Sequence, residues 1–393
     1  MKIVILGNYA TYFIPRLVAF SNLLKAKGHE LIVVQESDKS RLYKGIVQLE
    51  TSQLNYLHLS EIVSQGYSYK KRIFRALDFL NPDVLITGFV AFPYGAFGLQ
   101  WAKARKKGII EFDDQRWDTF PRGKISSFIK YRIIRHVDAF LCPAPAWDET
   151  LHRWGFRDNE IFYGLDTSDN TFWQEKPTEY SFHNLPNTYF MTLGRQIKMK
   201  NLVFFLEAYK KYLHQGGKIP LVMVGEGPEH EKLKEIANGN EKIFFLPFQD
   251  RNHIRQLFSK MKSLILPSTK VETWGMVVNE SMASGSIVAV SNECGSSTTL
   301  VKEGKNGFIF SPHDGQGIVS VLFKIEKLSI EEEQKMRNKS LEIIKDWGLD
   351  RFSESLFEAC KYVNSHKKKV KNPIDYLLIN LWKGRFNIKD ATI

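Results

Sequence analysis

Two glutamates, Glu272 and Glu280, stand with seven residues between them in the stretch PSTKVETWGMVVNESMASG, residues 267–285. An apolar run at 263–266 reads as a buried strand that stops at Pro267, and 268–273 supply turn and cap chemistry. From Gly275 onward Met276, Val277, Met282 and Ala283 recur at helical spacing until Gly285 ends the pattern. The spacing therefore predicts a strand, a short loop and a helix. A helix start presents unpaired N–H groups and partial positive charge, which suits a diphosphate. Glu280 would lie more than one turn inside, about 7–8 Å along the axis at 1.5 Å per residue. There a carboxylate would take both hydroxyls of a nucleotide ribose, while Glu272 on the loop faces what hangs from the far phosphate. Taken singly, each acid also fits a plainer role, one favouring the helix dipole and the other solvated. Arg195 and Lys200 follow an earlier strand, 189–193. Opposite a helix start, their guanidinium and ammonium would neutralise a departing nucleoside diphosphate.

Those side chains need a scaffold of repeated βα units. Residues 2–6 read as a strand, 7–8 as a turn, 11–27 as a helix ended by Gly28, and 31–35 as a second strand. This βαβ opening predicts a parallel sheet with helices on both faces. Ligands in such sheets sit at the carboxyl ends of strands, here 7–11. A strand at 83–87 leads into GFVAFPYGAFG (88–98), whose aromatics either line a pocket or pack onto the core. The strand at 108–112 delivers Asp113 and Asp114, which either act in a site or cap the following helix. The strand at 139–142 is expected to end the sheet. Residues 177–186 have linker composition. The second series begins at 189–193 and continues through 221–225, 242–246 and 286–290. Its loop Gly225-Glu226-Gly227-Pro228 is not a dinucleotide fingerprint, because His230 holds the final position. Residues 330–364 read as helical.

The length of 393 residues suits two domains, and 43% hydrophobic content is ample for two cores. No apolar run is long enough to span a membrane, and the first residues read as a strand rather than a signal peptide. Three scattered cysteines argue against a disulfide framework and fit a reducing cytosol. With no clustered histidines and no D-x-D pair, no metal site is expected. The net charge of +12 is concentrated in 103–135, with ten basic residues against four acids, and in 365–393, with seven against two. In the first stretch, 125–137 forms a basic amphipathic helix that would either lie on an anionic membrane or pack on the sheet. The tail carries Lys367, Lys368, Lys369 and Lys371 and turns amphipathic at 374–382. It is either a solvated tail or a second membrane contact.

The 267–285 stretch resembles the E-x7-E signature of retaining glycosyltransferases of the GT-B fold, family GT4. The likeness continues in LGRQIKMKN (193–201), VGEGPE (224–229) and GKNGFIFSP (304–312), and is close over 189–312. It implies an α/β protein of two Rossmann-like domains facing a central cleft: 1–182 for the acceptor, 183–345 for the donor, and 346–393 as helices crossing back to the first domain plus a basic tail. It implies no cofactor beyond a UDP- or GDP-linked sugar donor, no metal, and a glycan or lipid-linked acceptor. Arg195, Lys200 and the amides of Gly275, Met276 and Val277 would meet the diphosphate. Glu272 would hold donor-sugar hydroxyls, Glu280 the ribose, and Phe248 would border the nucleobase, with Gly225 in the donor loop. Family members often have a second glycine beside Gly7, where this chain has Asn8 and Tyr9. Many also place a histidine where this chain has Asp113 and Asp114, so either one of these acids would take that polar role or the role would be absent. The implied setting is bacterial cell-surface polysaccharide synthesis in the cytoplasm, at the inner face of the membrane.

Two other classes compete. A nucleotide-sugar epimerase or phosphorylase would use the same two-lobed fold, although no pyridoxal-phosphate lysine is recognisable. A nucleic-acid-binding protein is suggested by charge alone, but the basic residues alternate with apolar helical positions and no binding module is present.

Overall fold

The computed structural model describes residues 1–9, 11–36, 53–119, 121, 123–177 and 179–384. Arg122 and residues 385–393, counted above in the two basic stretches, lie outside them. The chain forms two compact units, one of Met1–Thr167 with the chain from Leu349 onward, the other Ser168–Gly348.

The first unit contains seven parallel strands: β1 (Lys2–Gly7), β2 (Glu30–Gln35), β3 (Asn55–His58), β4 (Val84–Gly88), β5 (Gly108–Phe112), β6 (Ala139–Cys142) and β7 (Ile161–Tyr163). Their order across the sheet is β3-β2-β1-β4-β5-β6-β7. Central strands such as KIVILG and VLITG are apolar at almost every position because helices cover both faces. The sheet does not end at β6 as expected. Residues 161–163 pair with 140–142 as a further strand, too short for alternation to reveal it. The first helix is Ile14–Ala26, entered through a 3-10 turn at Thr11–Phe13, so its regular part starts later than the expected 11.

The second unit holds six parallel strands: β8 (Tyr189–Leu193), β9 (Leu221–Val224), β10 (Ile243–Leu246), β11 (Met261–Leu266), β12 (Ile287–Ser291) and β13 (Gly307–Phe310). They run in the order β10-β9-β8-β11-β12-β13. Phe205, Tyr209 and Tyr212 of the helix Leu202–His214 bury their rings in the core with Phe190, Leu221 and Met223. In both sheets the strand order reverses once, between β1 and β4 and between β8 and β11. A parallel sheet opens a crevice at such a reversal, on the carboxyl side. The topology thus nominates two places before any side chain is considered.

The helical run expected over 330–364 is broken. It becomes Ile330–Ile344, a 3-10 turn Lys345–Trp347, and Leu349–Ser365, with Gly348 as the residue where the chain leaves the second unit. Helix Leu349–Ser365 buries Phe352, Leu356, Cys360 and Val363 in the core of the first unit. The basic tail is not simply solvated. Lys103 bonds Asp138 at 2.6 Å and Lys368 bonds Glu160 at 2.8 Å, while the Lys368 amide donates to Asp138. The helix Pro373–Leu381 then docks through Asp375, which pairs with Arg132 and lies 2.9 Å from His136. Finally Trp382 Nε1 donates to the Val90 carbonyl at 2.7 Å.

Candidate functional site

At the reversal of the second sheet, the ends of β8 and β11 carry the loops that hold the predicted site. Thr269 N donates to the Met199 carbonyl at 2.9 Å, tying the 268–273 loop to the turn before Lys200. Across this seam Lys200 pairs with Glu272, with 16% and 13% of the two side chains exposed. Ser268 Oγ donates to the same Glu272 oxygen at 3.0 Å. Ion pair and hydroxyl bond together hold the carboxylate in one orientation. Arg195 and Lys200 border a small recess with Gly194, Leu266 and Pro267.

Close backbone packing sets these positions. Gly225 has φ +125°, and a Cβ there would sit 2.1 Å from the Gly194 carbonyl oxygen. The two glycine turns therefore touch backbone to backbone. Gln196 reinforces them, its Nε2 donating to the Gly225 carbonyl at 2.7 Å and its Oε1 lying 2.6 Å from His230 Nδ1. Gly275, at φ +88°, precedes the helix Met276–Ala283, and a Cβ on it would meet Leu266 and Cys294 at 2.8 and 2.9 Å. The helix is anchored by buried Trp274, whose Nε1 donates to Asn279 at 2.7 Å. Burial, and after it the charge of Glu272, pushes the Cys294 thiol up to about 12, so this cysteine is an inert part of the wall.

Glu280 falls in this helix, half-buried, more than a turn beyond Gly275. The structure therefore gathers Arg195, Lys200, Glu272 and Gly275–Val277 around the β8–β11 crevice. Phe248 stands apart. It lies beyond the end of edge strand β10, two strands from β8, with 67% of its surface exposed.

The first unit has its own cavity at the β1–β4 reversal, of about 280 Å³. Gly7, Gly88, Asp113 and Asp114 all line it. The two aspartates do not cap the next helix, which starts at Lys124 behind Gly123. The 88–98 segment divides between its two readings. Gly88, Phe92 and Tyr94 face the cavity, whereas Phe89 and Phe97 are buried in the core. Gly7 sits on this cavity's wall with Asp113, Asp114 and Asp166. Its turn amides serve the fold, with Tyr9 N donating to Gln35 at 3.1 Å.

Sequence reasoning passed over Tyr9, Arg16 and Asp166 as cavity-lining residues. Arg16 was legible as a lone cation in the apolar stripe of the first helix. It is 1% exposed, donating to the Thr167 carbonyl at 2.8 Å, with Asp166 at 4.0 Å. Asp166 has no comparable signal, because its role depends on the unforeseen strand β7. Burial, and then the charges of Asp114 and Asp113, push its carboxyl up to about 8 against the pull of Arg16.

Two parallel sheets of this topology, with the last helices returned to the first, make this a GT-B fold. A glycosyltransferase from Rickettsia africae ESF-5 superposes with a TM-score of 0.73 at 16% identity, over 93% of this chain and 98% of that one. The Anabaena Alr3699/HepE structure, in complex with UDP, gives 0.72 at 15% identity, over 91% and 99%. Residues 175–342 match the family model for glycosyl transferases group 1. In sequence, the chain is 32% identical over 110 residues to the uncharacterized glycosyltransferase YqgM of Bacillus subtilis (strain 168), covering 27% of this chain and 30% of YqgM. The matches span less than half the length of each of the curated relatives.

Proposed function

We propose that this protein is a retaining glycosyltransferase of the GT4 type, moving a sugar from a UDP- or GDP-sugar to a glycan or lipid-linked acceptor without a metal. The observation that carries this reading is the Lys200–Glu272 pair at the β8–β11 crevice, beside the helix that Gly275 starts. An ammonium held by a carboxylate there can exchange partners. The donor diphosphate takes Lys200 and Arg195, and Glu272 is released to bind sugar hydroxyls. As the bond from the anomeric carbon to the diphosphate breaks, the acceptor oxygen bonds that carbon on the same face, and its proton passes to the departing phosphate oxygen. The two cations and the helix amides offset the growing charge, the kind of fixed electrostatic stabilisation that usually dominates catalysis. Glu280 holds the ribose, and Phe248 borders the base. The first unit's cavity takes the acceptor, with Asp113 or Asp114 as its polar contact. Cytoplasmic polysaccharide assembly at an anionic membrane is the proposed setting. UDP bound to HepE supports a nucleotide-sugar donor.

A panel of UDP- and GDP-sugars, read by diphosphate release and by the anomeric NMR signals of the product, tests the assignment. Lys200→Ala should lower kcat by about 10²–10³, the usual loss for one such donor. Glu280→Gln should mainly weaken nucleotide binding, by roughly tenfold or more for a charged hydrogen bond. Wild-type kinetics in both variants would remove the site.

A further inference from the structure

The helix Pro373–Leu381 is held to the first unit by polar contacts more than by apolar burial. Only Asp375 and Ile379 of its nine residues are buried. Asp375 pairs with Arg132 and lies 2.9 Å from His136. The buried Gln100 side chain donates from Nε2 to the Ile379 carbonyl at 2.8 Å and to the Trp382 carbonyl. Gln100 thereby serves carbonyls that a helix end leaves open, and fixes where the chain goes next.

What comes next lies on the segment 88–94. Buried Trp382 donates from Nε1 to the Val90 carbonyl at 2.7 Å. The Val90 amide donates in turn to Glu111 Oε2 at 3.0 Å. Val90 is wholly buried, so its backbone groups need such partners, and they come from β5 and from the tail. Gly384 follows at φ +76°, where a Cβ would stand 2.7 Å from the Phe92 carbonyl carbon and from Pro93 N. The tail thus meets the segment backbone to backbone, closer than a side chain allows. This same segment supplies aromatic wall to the first unit's cavity. Phe92 and Tyr94 line it, stacked at 5.3 Å with their planes 7° apart, and the Tyr94 ring lies over Gly88.

We infer that the last helix is a strap that sets this wall, with Trp382 as a positioning residue for the ligand of the cavity. Trp382 acts through the Val90 carbonyl. Fixing that group fixes the turn that the Phe92 amide closes on the Phe89 carbonyl at 2.9 Å, and with it the direction of Phe92 and Tyr94. Gly384 holds the same turn by leaving no space between it and the tail. A released strap would leave a buried carbonyl without its donor, and the segment would relieve that penalty by moving to reach water. The wall is therefore a joint product of two stretches 292 positions apart in the chain. This rests on the reading that the cavity takes the acceptor, and it makes acceptor binding, not donor binding, the property that the tail controls.

Hydrogen exchange on the full chain, read by mass spectrometry, tests the strap with two variants. Trp382→Phe keeps a ring and removes the N–H donor, while Gly384→Ala leaves Trp382 in place and adds the conflicting Cβ. Peptides covering 88–97 should exchange about tenfold faster or more in both, with β1, β2 and the second unit at wild-type rates. 4-Fluorophenylalanine in place of Phe92 reports the wall directly, and its 19F signal should shift or broaden in both variants. Wild-type exchange over 88–97 in either variant, acceleration spread evenly over the first unit, or an unmoved 19F signal would overturn the inference. UDP titrated in parallel reads the donor assignment separately, since its proposed crevice lies in the second unit.

Discussion

Asp166 shows what burial beside like charges does to a single side chain. Its carboxyl titrates near 8 in the fold, against an ordinary value near 4, because it is buried beside Asp114 and Asp113. A folded pKa raised above the unfolded one means that the folded chain keeps a proton the unfolded chain releases. The stabilising contribution is complete below about pH 4, declines as pH rises, and is lost once pH passes about 8. Asp166→Asn should therefore flatten the fall in urea midpoint between pH 5 and 8. An unchanged slope would mean that Asp166 is ionised throughout. Lys200 and Glu272 present the contrasting case. Both were readable as charged loop residues at motif spacing, yet that they pair with each other was not. It depends on the Met199–Thr269 backbone bond drawing two loops together from strands separated in sequence.

Among the elements, the paired glycine turns after β8 and β9 matter most. Their order along the chain was legible, and so was the reading of Gly225 as a loop glycine. The reason only glycine fits there is tertiary: the neighbouring turn's carbonyl occupies the place of a side chain. Gly225→Ala should cost about 1–3 kcal/mol for the backbone conformation alone, and more for the forced separation of the turns. Chemical denaturation should show the stability loss, and donor binding should fall with it because Arg195 and Lys200 sit on the displaced loop. A variant with unaltered stability would show that the turns do not need this contact. Strand β7 and the return at Gly348 illustrate the opposite situation. A three-residue strand has no periodicity to read, and a helical pattern does not reveal where its chain changes units.

At the scale of the molecule, the charge of +12 divides into two uses. Lys103, Arg132 and Lys368 are spent inside the first unit on Asp138, Asp375 and Glu160, the last two pairs fastening the tail. Lys124, Lys367, Lys369, Lys371 and Lys383 remain exposed. Six of the ten large apolar side chains exposed among the described residues lie on just two neighbouring helices: Ile125 and Phe128 on Lys124–Ile134, and Ile374, Tyr376, Leu377 and Leu381 on Pro373–Leu381. Among the described residues no helix is long and apolar enough to cross a membrane. A mixed apolar and basic face of this kind favours the proposed anionic membrane surface over nucleic acid, because phosphate-backbone binding has no use for exposed leucines. The protein should float with vesicles containing anionic lipid and not with neutral ones, and the joint change Ile125→Glu, Leu377→Glu should abolish flotation. Equal flotation with both vesicle types, or retention by the double variant, would exclude this surface.

Residue order alone determined the alternation of strand and helix, the two-unit plan and the positions where charged groups follow strands. Apolar periodicity and glycine punctuation are local properties, and burial on both faces of a parallel sheet stamps them directly on each segment. Only the tertiary structure decided which charges meet. It set Lys200 on Glu272, turned Asp113 and Asp114 into a cavity with Asp166 and Tyr9, and consumed part of the basic tail in buried pairs. Those outcomes depend on strand order and on close backbone contacts between distant turns, which no window of sequence contains.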